Sequence, residues 1–313
     1  MNLLVTGASG FLGRNFLERG GLPGCRILAV YNRDDRFQEF VAGLNRPDIV
    51  PVQCDLASPA AVAALAREHG AEWDYCLYLA GKVDIPWSVR EPAADLFANT
   101  LPVLNLLETV RVQKLVYFSS GAVYDGLTGE VAPGGPLSPT LPYAISKLTS
   151  EHYIQFHHQR GHSVGNYLIV RFFGAYGPHE APHKIYTRLI RTFAFEGQNH
   201  YTIYGDGSNL IDAMFVDDAI DAIERMLKGD HWNRTVNLAG GTPRRIDDLV
   251  GAAAAALGVG SVRIERNNIA NERNEFWGST RDMREFFGFE PRIDLPEGVR
   301  RFRAFLEASQ DAG

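Results

Sequence analysis

The chain has 313 residues, 45% of them hydrophobic, and a formal net charge of −6. That length and apolar content are enough for a large buried sheet and for more than one packing centre. The acidic balance argues against a dedicated binder of nucleic acid or anionic membrane, and no apolar run approaches the ~20 residues of a membrane span.

A strand is expected almost at once, at Leu3-Leu4-Val5, leaving no room before it for a signal peptide. It runs into Thr6-Gly7-Ala8-Ser9-Gly10-Phe11-Leu12-Gly13 and then an apolar-periodic segment, the order strand, glycine turn, helix. Gly7 permits a tight turn with positive φ. Gly10 lets backbone N–H groups approach a pyrophosphate, and Gly13 lets the helix pack close to the sheet. The first two glycines stand one residue further apart than in the common dinucleotide fingerprint, so the triplet alone is a weak signal. Further strands are expected at 26–31, 49–53, 75–80, 115–119 and 164–171, and helices at 59–69, 92–110 and 142–160. This alternation predicts an α/β fold with a doubly wound parallel sheet.

The second strand leads into Asn32-Arg33-Asp34-Asp35, the third into Asp55-Leu56, and the fourth into Leu79-Ala80-Gly81-Lys82, with Trp87 close behind. The Gly/Pro-rich stretch 125–142 reads as a long loop at the carboxyl edge of the sheet, where ligands bind in such folds. After Arg171 the rhythm breaks. A helix is expected at 184–196, a strand at 201–204 before a Gly-Asp-Gly turn, a helix at 216–228, and helices near 246–257 and 297–306. The division expected is a dinucleotide-binding lobe, 1–171 with 212–238 returning to it. A smaller C-terminal substrate-binding lobe would comprise 172–211 and 239–313.

Tyr143 and Lys147 lie four apart in a helical pattern and share one face. A phenol titrates near pH ~10, and an ammonium one turn away favours the phenolate. Such a Tyr can exchange a proton with a carbinol oxygen while a nicotinamide moves the hydride. Upstream, Leu115-Val-Tyr-Phe-Ser119-Ser120 reads as a buried strand ending in hydroxyls.

With these three parts together, the chain resembles the extended short-chain dehydrogenase/reductase family, also called the NAD-dependent epimerase/dehydratase family, from Asn2 to about Phe305. The resemblance implies a Rossmann lobe with a cap that closes over a nucleotide-linked sugar. It places the catalytic hydroxyl at Ser120, with Tyr143 and Lys147 completing the triad. It also implies cofactor contacts at Gly7, Ser9, Gly10, Phe11, Leu12, Gly13, Asn32, Arg33, Asp55, Leu56, Leu79, Ala80, Gly81 and Lys82, besides Tyr143 and Lys147. Ser120, Ala122, Trp87, Phe173, His179, Lys184, Arg188 and Tyr204 are the candidates for substrate contact. Relatives commonly pair through two long helices, so a homodimer through 92–110 and 142–160 is expected.

NAD-users in the family usually end the second strand with an acid, where this chain has Tyr31. Arg33 can pair with a 2′-phosphate, so the segment favours NADP, with NAD open if Asp34 or Asp35 reaches the ribose diol. Family members that dehydrate sugars carry Asp-Glu after the catalytic hydroxyl; here those positions are Gly121-Ala122. What remains is hydride chemistry at one carbinol, as 4-ketoreduction or as 4-epimerisation.

Asn32-Arg33-Asp34-Asp35, Lys82-Val83 and Tyr176-Gly-Pro-His179-Glu180 resemble the GDP-fucose synthase branch, in which a Cys base and a His acid also epimerise. The Cys position is Ala122, while His179 is present. The family's Asn and Arg at the positions of Gly174 and Ile211 are missing, and Lys184, Arg188, Arg191, Arg273 or Arg281 can supply replacement charge. A substrate without a diphosphate is the alternative. A non-catalytic dinucleotide-binding regulator is a third function, which the intact triad opposes.

His179-Glu-Ala-Pro-His183 spells a zinc-protease pattern, but Pro182 disfavours the helix that pattern needs, so no metal is expected. His157 and His158 are expected to face solvent, and Asn99 to be a buried hydrogen-bonding residue. Cys25, Cys54 and Cys76, odd in number and scattered, suit reduced thiols in a cytoplasmic protein.

Overall fold

Strand β1 (Asn2–Thr6) enters helix α1 (Phe11–Arg19) through the glycine turn, in a computed structural model that describes residues 1–267 and 274–311. Alternation continues through β2 (Arg26–Tyr31), α2 (Phe37–Gly43), β3 (Ile49–Gln53), α3 (Pro59–His69), β4 (Glu72–Tyr78), α4 (Ile85–Arg90), α5 (Pro92–Asn99), α6 (Leu101–Thr109) and β5 (Arg111–Ser120). A 3₁₀ turn at Gly121–Tyr124 precedes β6 (Thr128–Val131), α7 (Pro142–Gln159), β7 (Val164–Phe172) and β8 (Ala175–Tyr176). Then come α8 (Ile185–Ile190), β9 (His200–Tyr204), β10 (Leu210–Ile211), β11 (Met214–Phe215), α9 (Val216–Lys228), β12 (Arg234–Leu238) and β13 (Arg244–Arg245). The chain ends in α10 (Ile246–Ala256), β14 (Arg263–Asn267), β15 (Glu275–Gly278), α11 (Arg281–Phe287) and α12 (Leu295–Asp311).

Local chemistry explains the boundaries. Ser58 Oγ accepts from Ala61 N at 3.3 Å and Pro59 opens the first turn of α3, while Gly70, at φ +102°, ends it. The single helix expected at 92–110 is two, because Pro102 has no N–H to give the Ala98 carbonyl; Thr100 breaks the run between α5 and α6. The helix expected at 184–196 is α8 followed by a π turn at Arg191–Phe195.

Seven strands form one parallel sheet in the order β12-β7-β5-β4-β1-β2-β3. Leu3, Val5, Ile27, Val116 and Val170 fill one face with α1, α9 and α11, and Leu4, Leu28, Cys76, Leu115 and Ile169 fill the other. Burial on both faces is why these strands read as continuous apolar runs. The strand order reverses between β1 and β4, and a crevice opens beyond their carboxyl ends.

β4 starts and ends earlier than the expected 75–80. Leu79 and Ala80 leave the ladder, each donating its N–H to Thr6 (3.2 Å to the carbonyl and 3.3 Å to Oγ1), and form a wall of that crevice. β12 was not evident in the sequence; Arg234–Leu238 becomes a strand by pairing with β7. Within the stretch expected to be loop, β6 pairs in parallel with β15.

A second core gathers Tyr176, Leu189, Phe193, Ile203, Leu249, Val250, Val299 and Phe302. Helix α11 does not join it: Met283, Phe287 and Phe289 pack in the first core. His157 departs from its expected solvent position; it is buried, with Nδ1 2.9 Å from Ser163 Oγ, while His158 is half-buried, with Nδ1 2.8 Å from the Gly165 carbonyl. All three cysteines are free and buried. Among the described residues no helix is long and apolar enough to cross a membrane.

Candidate active site and cofactor cleft

A cleft of about 490 Å³ opens at the carboxyl ends of β1 and β4. Gly7, Ser9, Gly10, Asn32, Arg33, Asp55, Leu56, Leu79, Ala80, Gly81 and Lys82 line it. Gly7 has φ +66°, and a Cβ there would meet Ala80 N at 2.7 Å, so both conformation and space demand glycine. A Cβ on Gly13 would lie 2.5 Å from the carbonyls of Gly7 and Ala8. Gly13 and Leu12 therefore build the turn from behind, and neither they nor Phe11 line the cleft. No side chain caps the α1 N-terminus, which leaves its N–H groups for an anion. These features fit a dinucleotide: a glycine cradle and free helix N–H groups for the pyrophosphate, with Asp55 further along the wall.

Asp55 Oδ1 accepts from Ala57 N at 3.0 Å. Asp34 is held by Arg14 at 2.6 Å, and Arg33 is exposed on the cleft wall. Ala98 and Pro102 also line the cleft. They were missed because the helix pattern gives no sign of which residues flank a distant strand end.

The three residues of the expected triad come together beside this cleft. Ser120 ends β5, and its Oγ accepts from Ala122 N at 3.1 Å. Tyr143 stands in the first turn of α7, whose Pro142 supplies the preset φ of a helix start, and its N–H donates to buried Ser88 Oγ at 3.3 Å. Lys147, one turn on, donates from Nζ to the Phe118 carbonyl at 2.6 Å and lies 4.4 Å from the centre of the Tyr117 ring. A Cβ on Gly81 would lie 4.0 Å from Lys147 Nζ, which ties the triad to the cleft wall.

Burial dominates the electrostatics here. It pushes Tyr143 up to about 12, against the opposing pull of the Ser120 hydroxyl. It pushes Lys147 down to about 7, against the neighbouring Glu151 and Asp95 carboxylates. Desolvation of the charged form sets the direction at both groups, which corrects the expectation that the ammonium brings the phenol down.

Behind the triad, Glu151 on α7 and Arg171 on β7 form a buried ion pair at 2.8 Å. Ser119 Oγ donates to Glu151, and Arg171 donates to Tyr124 Oη at 3.0 Å and to the Pro133 carbonyl at 3.1 Å. Periodicity marked these residues as part of a helix and a strand, without marking their pairing.

The substrate candidates are dispersed. Lys82 Nζ sits 3.4 Å over the Trp87 ring at the cleft edge, and Ala122 follows Ser120 in the 3₁₀ turn. Phe173 packs against Tyr124 and Phe276. Arg188 rests 5.3 Å from the rings of both Tyr201 and exposed Tyr204, and Lys184 is exposed before α8.

His179 is a correction. Its Nε2 lies 2.9 Å from Glu18 Oε1, and its ring packs against Phe40 and Phe305. Asn15 on α1 binds the adjacent Pro178 carbonyl at 2.8 Å. The segment is thus fastened to α1 and α12 as a strut, and its His is not brought to the triad. Arg281 is paired with Glu285 at 2.8 Å, and Arg273 lies outside the described residues.

Comparison with known proteins agrees with this geometry. The model of the NAD dependent epimerase/dehydratase family matches residues 3–239. A dTDP-glucose 4,6-dehydratase of Xanthomonas campestris pv. campestris is 30% identical over 81% of this chain and 75% of its own. A UDP-glucose 4-epimerase of Mycolicibacterium smegmatis is 27% identical over 98% of each chain. In fold, the chain is similar to a UDP-glucose 4-epimerase of Thermotoga maritima solved with UDP-glucose (TM-score 0.83, 23% identity, 99% of this chain and 100% of that). It is also similar to a UDP-glucuronic acid 4-epimerase of Bacillus cereus in complex with UDP-glucuronic acid and NAD (TM-score 0.84, 20% identity, 99% and 100%).

Proposed function

The chain belongs to the NAD dependent epimerase/dehydratase family, and from that premise we propose that it reduces a 4-keto group on a nucleotide-linked sugar. The observation that carries this reading is the pair Ser120 with Tyr143 followed by Gly121-Ala122, which cannot transfer a proton. Dehydration of the kind performed by the Xanthomonas relative asks for a second acid and base that these positions lack. A bound nicotinamide supplies the hydride. The chain supplies the proton: Tyr143, which keeps its phenolic hydrogen at neutral pH, gives it to the carbonyl oxygen as the carbon is reduced, and Ser120 steadies that oxygen. Lys147 brings positive charge near the developing alkoxide. A second reading, 4-epimerisation, is favoured by the full-length likeness to the M. smegmatis epimerase.

The cofactor we propose is NADP, with NAD as the alternative that the family offers. Asp34 is spent on Arg14, while Arg33 faces the cleft. The lobes proposed are 1–171 with 212–238 for the cofactor, joined by α11, and 172–211 with the rest of 239–313 for the sugar. The compartment proposed is the cytoplasm, in keeping with three free thiols.

One assay tests the reaction and the cofactor together. With a 4-keto-6-deoxy sugar nucleotide, NADPH should be consumed stoichiometrically. Arg33→Ala should weaken NADP by ~10- to 100-fold more than NAD, the worth of a charge-assisted contact. Conversion of UDP-glucose with no external reductant and no change in nicotinamide absorbance would replace ketoreduction by epimerisation. Equal loss for both cofactors would remove Arg33 from the choice.

A homodimer through α5 and α7 is also proposed. Leu96, Phe97, Ile145, Tyr153 and Phe156 are large apolar residues that these two mutually packed helices leave exposed. Phe97→Glu should yield a monomer in sedimentation velocity; an unchanged dimer would place the interface elsewhere.

A further inference from the structure

Asp95 has no part in the chemistry above, yet it is fully buried on α5, the helix packed against α7. Its Oδ1 accepts from Asn99 Nδ2 at 2.9 Å, and its Oδ2 has no partner among the described residues. A buried carboxylate with a single hydrogen bond is costly unless a nearby charge compensates it. The Asn99 carboxamide also clamps the cleft wall: Oδ1 accepts from Lys82 N at 2.9 Å and Nδ2 donates to the Lys82 carbonyl at 3.2 Å. Gly81 is bordered by both groups, since a Cβ there would lie 3.0 Å from Asn99 Oδ1 and 4.0 Å from Lys147 Nζ. Asp95, Asn99, the Gly81-Lys82 backbone and Lys147 are thus one contiguous unit.

We infer that Asp95 is a positioning residue of the triad, its carboxylate holding the ammonium form of Lys147 and the orientation of the Asn99 amide beside the cleft. The inference rests on the assignment of Tyr143 and Lys147 to the reaction. Lys147 is faced by Tyr143 and Glu151 from its own helix, by Asp95 from α5, and by the Tyr117 ring and Phe118 carbonyl from β5; Arg171 on β7 is occupied by Glu151. Of the two carboxylates, Glu151 is committed to Arg171 and Ser119. Asp95 is the one left with an open oxygen. Its charge acts in one direction on both reacting groups, raising Lys147 and Tyr143 and so keeping their protons in place.

The test needs neither substrate nor cofactor, so it does not depend on whether the ketoreductase reading stands. Lysine labelled with ¹³C at Cε is followed by NMR against pH in the ligand-free protein, and the Lys147 signal is identified by its loss in Lys147→Met. In the parent protein Lys147 should titrate near the value of about 7 to which burial brings it. In Asp95→Asn, which keeps shape and removes charge, its midpoint should fall by about one pH unit. Asp95→Ser carries the same measurement if the Asn variant does not fold. An unchanged midpoint in a folded variant overturns the inference and leaves Asp95 a purely structural residue.

Discussion

Tyr143→Phe should lower turnover by at least ~10² while cofactor affinity stays near that of the parent. The ring is retained, and the backbone hydrogen bond from Tyr143 N to Ser88 Oγ in the first turn of α7 is untouched. What is lost is the hydroxyl beside Ser120 that is proposed to exchange a proton with the sugar oxygen. At neutral pH that hydroxyl is protonated, because burial raises it to about 12, so the group is poised as an acid toward a carbonyl. Lys147→Ala should behave differently and impair both turnover and cofactor binding, since Nζ lies against the cleft wall at Gly81. Steady-state kinetics with fluorescence titration of the cofactor separates the two variants. Near-normal turnover in Tyr143→Phe would take this residue out of the mechanism.

Glu151→Ala should destabilise the fold by about 3–5 kcal/mol, because it strands a buried guanidinium. Both members of the pair are at most 6% exposed, and Arg171 Nη2 meets Glu151 Oε2 at 2.8 Å. Beyond them the network reaches Tyr124 Oη, which donates to Asn237 Oδ1 at 2.7 Å, and Asn237 Nδ2, which donates to the Val131 carbonyl at 2.8 Å. Glu151→Met together with Arg171→Met should cost far less than the two single losses added, because no buried charge then lacks a partner. Urea denaturation of Glu151→Met, Arg171→Met and the double variant gives the comparison. Additive losses would mean that each side chain contributes on its own and not as a pair. Since Glu151 lies one turn beyond Lys147 on α7, the single variant also loosens the helix face that presents the triad.

How much was legible depended on the range of the forces involved. The strand runs, the caps of α3 and the place of Gly7 are decided by neighbouring residues, so they stand in the sequence: apolar runs for a sheet buried on both faces, and a glycine where φ is +66°. The pairing of Tyr143 with Lys147 was legible for the same reason, because four residues along a helix return to the same face. By contrast, β12 is a strand because β7 lies beside it, and β6 is a strand because β15, far along the chain, pairs with it. His179 matched a motif, yet it became a strut, since the contacts made by Glu18, Phe40 and Phe305 come from three separate helices.

Charge is the clearest division. By itself the sequence determined which titratable groups share the α7 face. Only the tertiary structure decided that desolvation raises Tyr143 and lowers Lys147, that Asp34 is occupied by Arg14, and that Asp95 is enclosed beside the triad with an open oxygen. The physical reason is that spacing along the chain sets local geometry, whereas the electrostatic state of a side chain follows from the solvent removed and the partners supplied by segments distant in sequence.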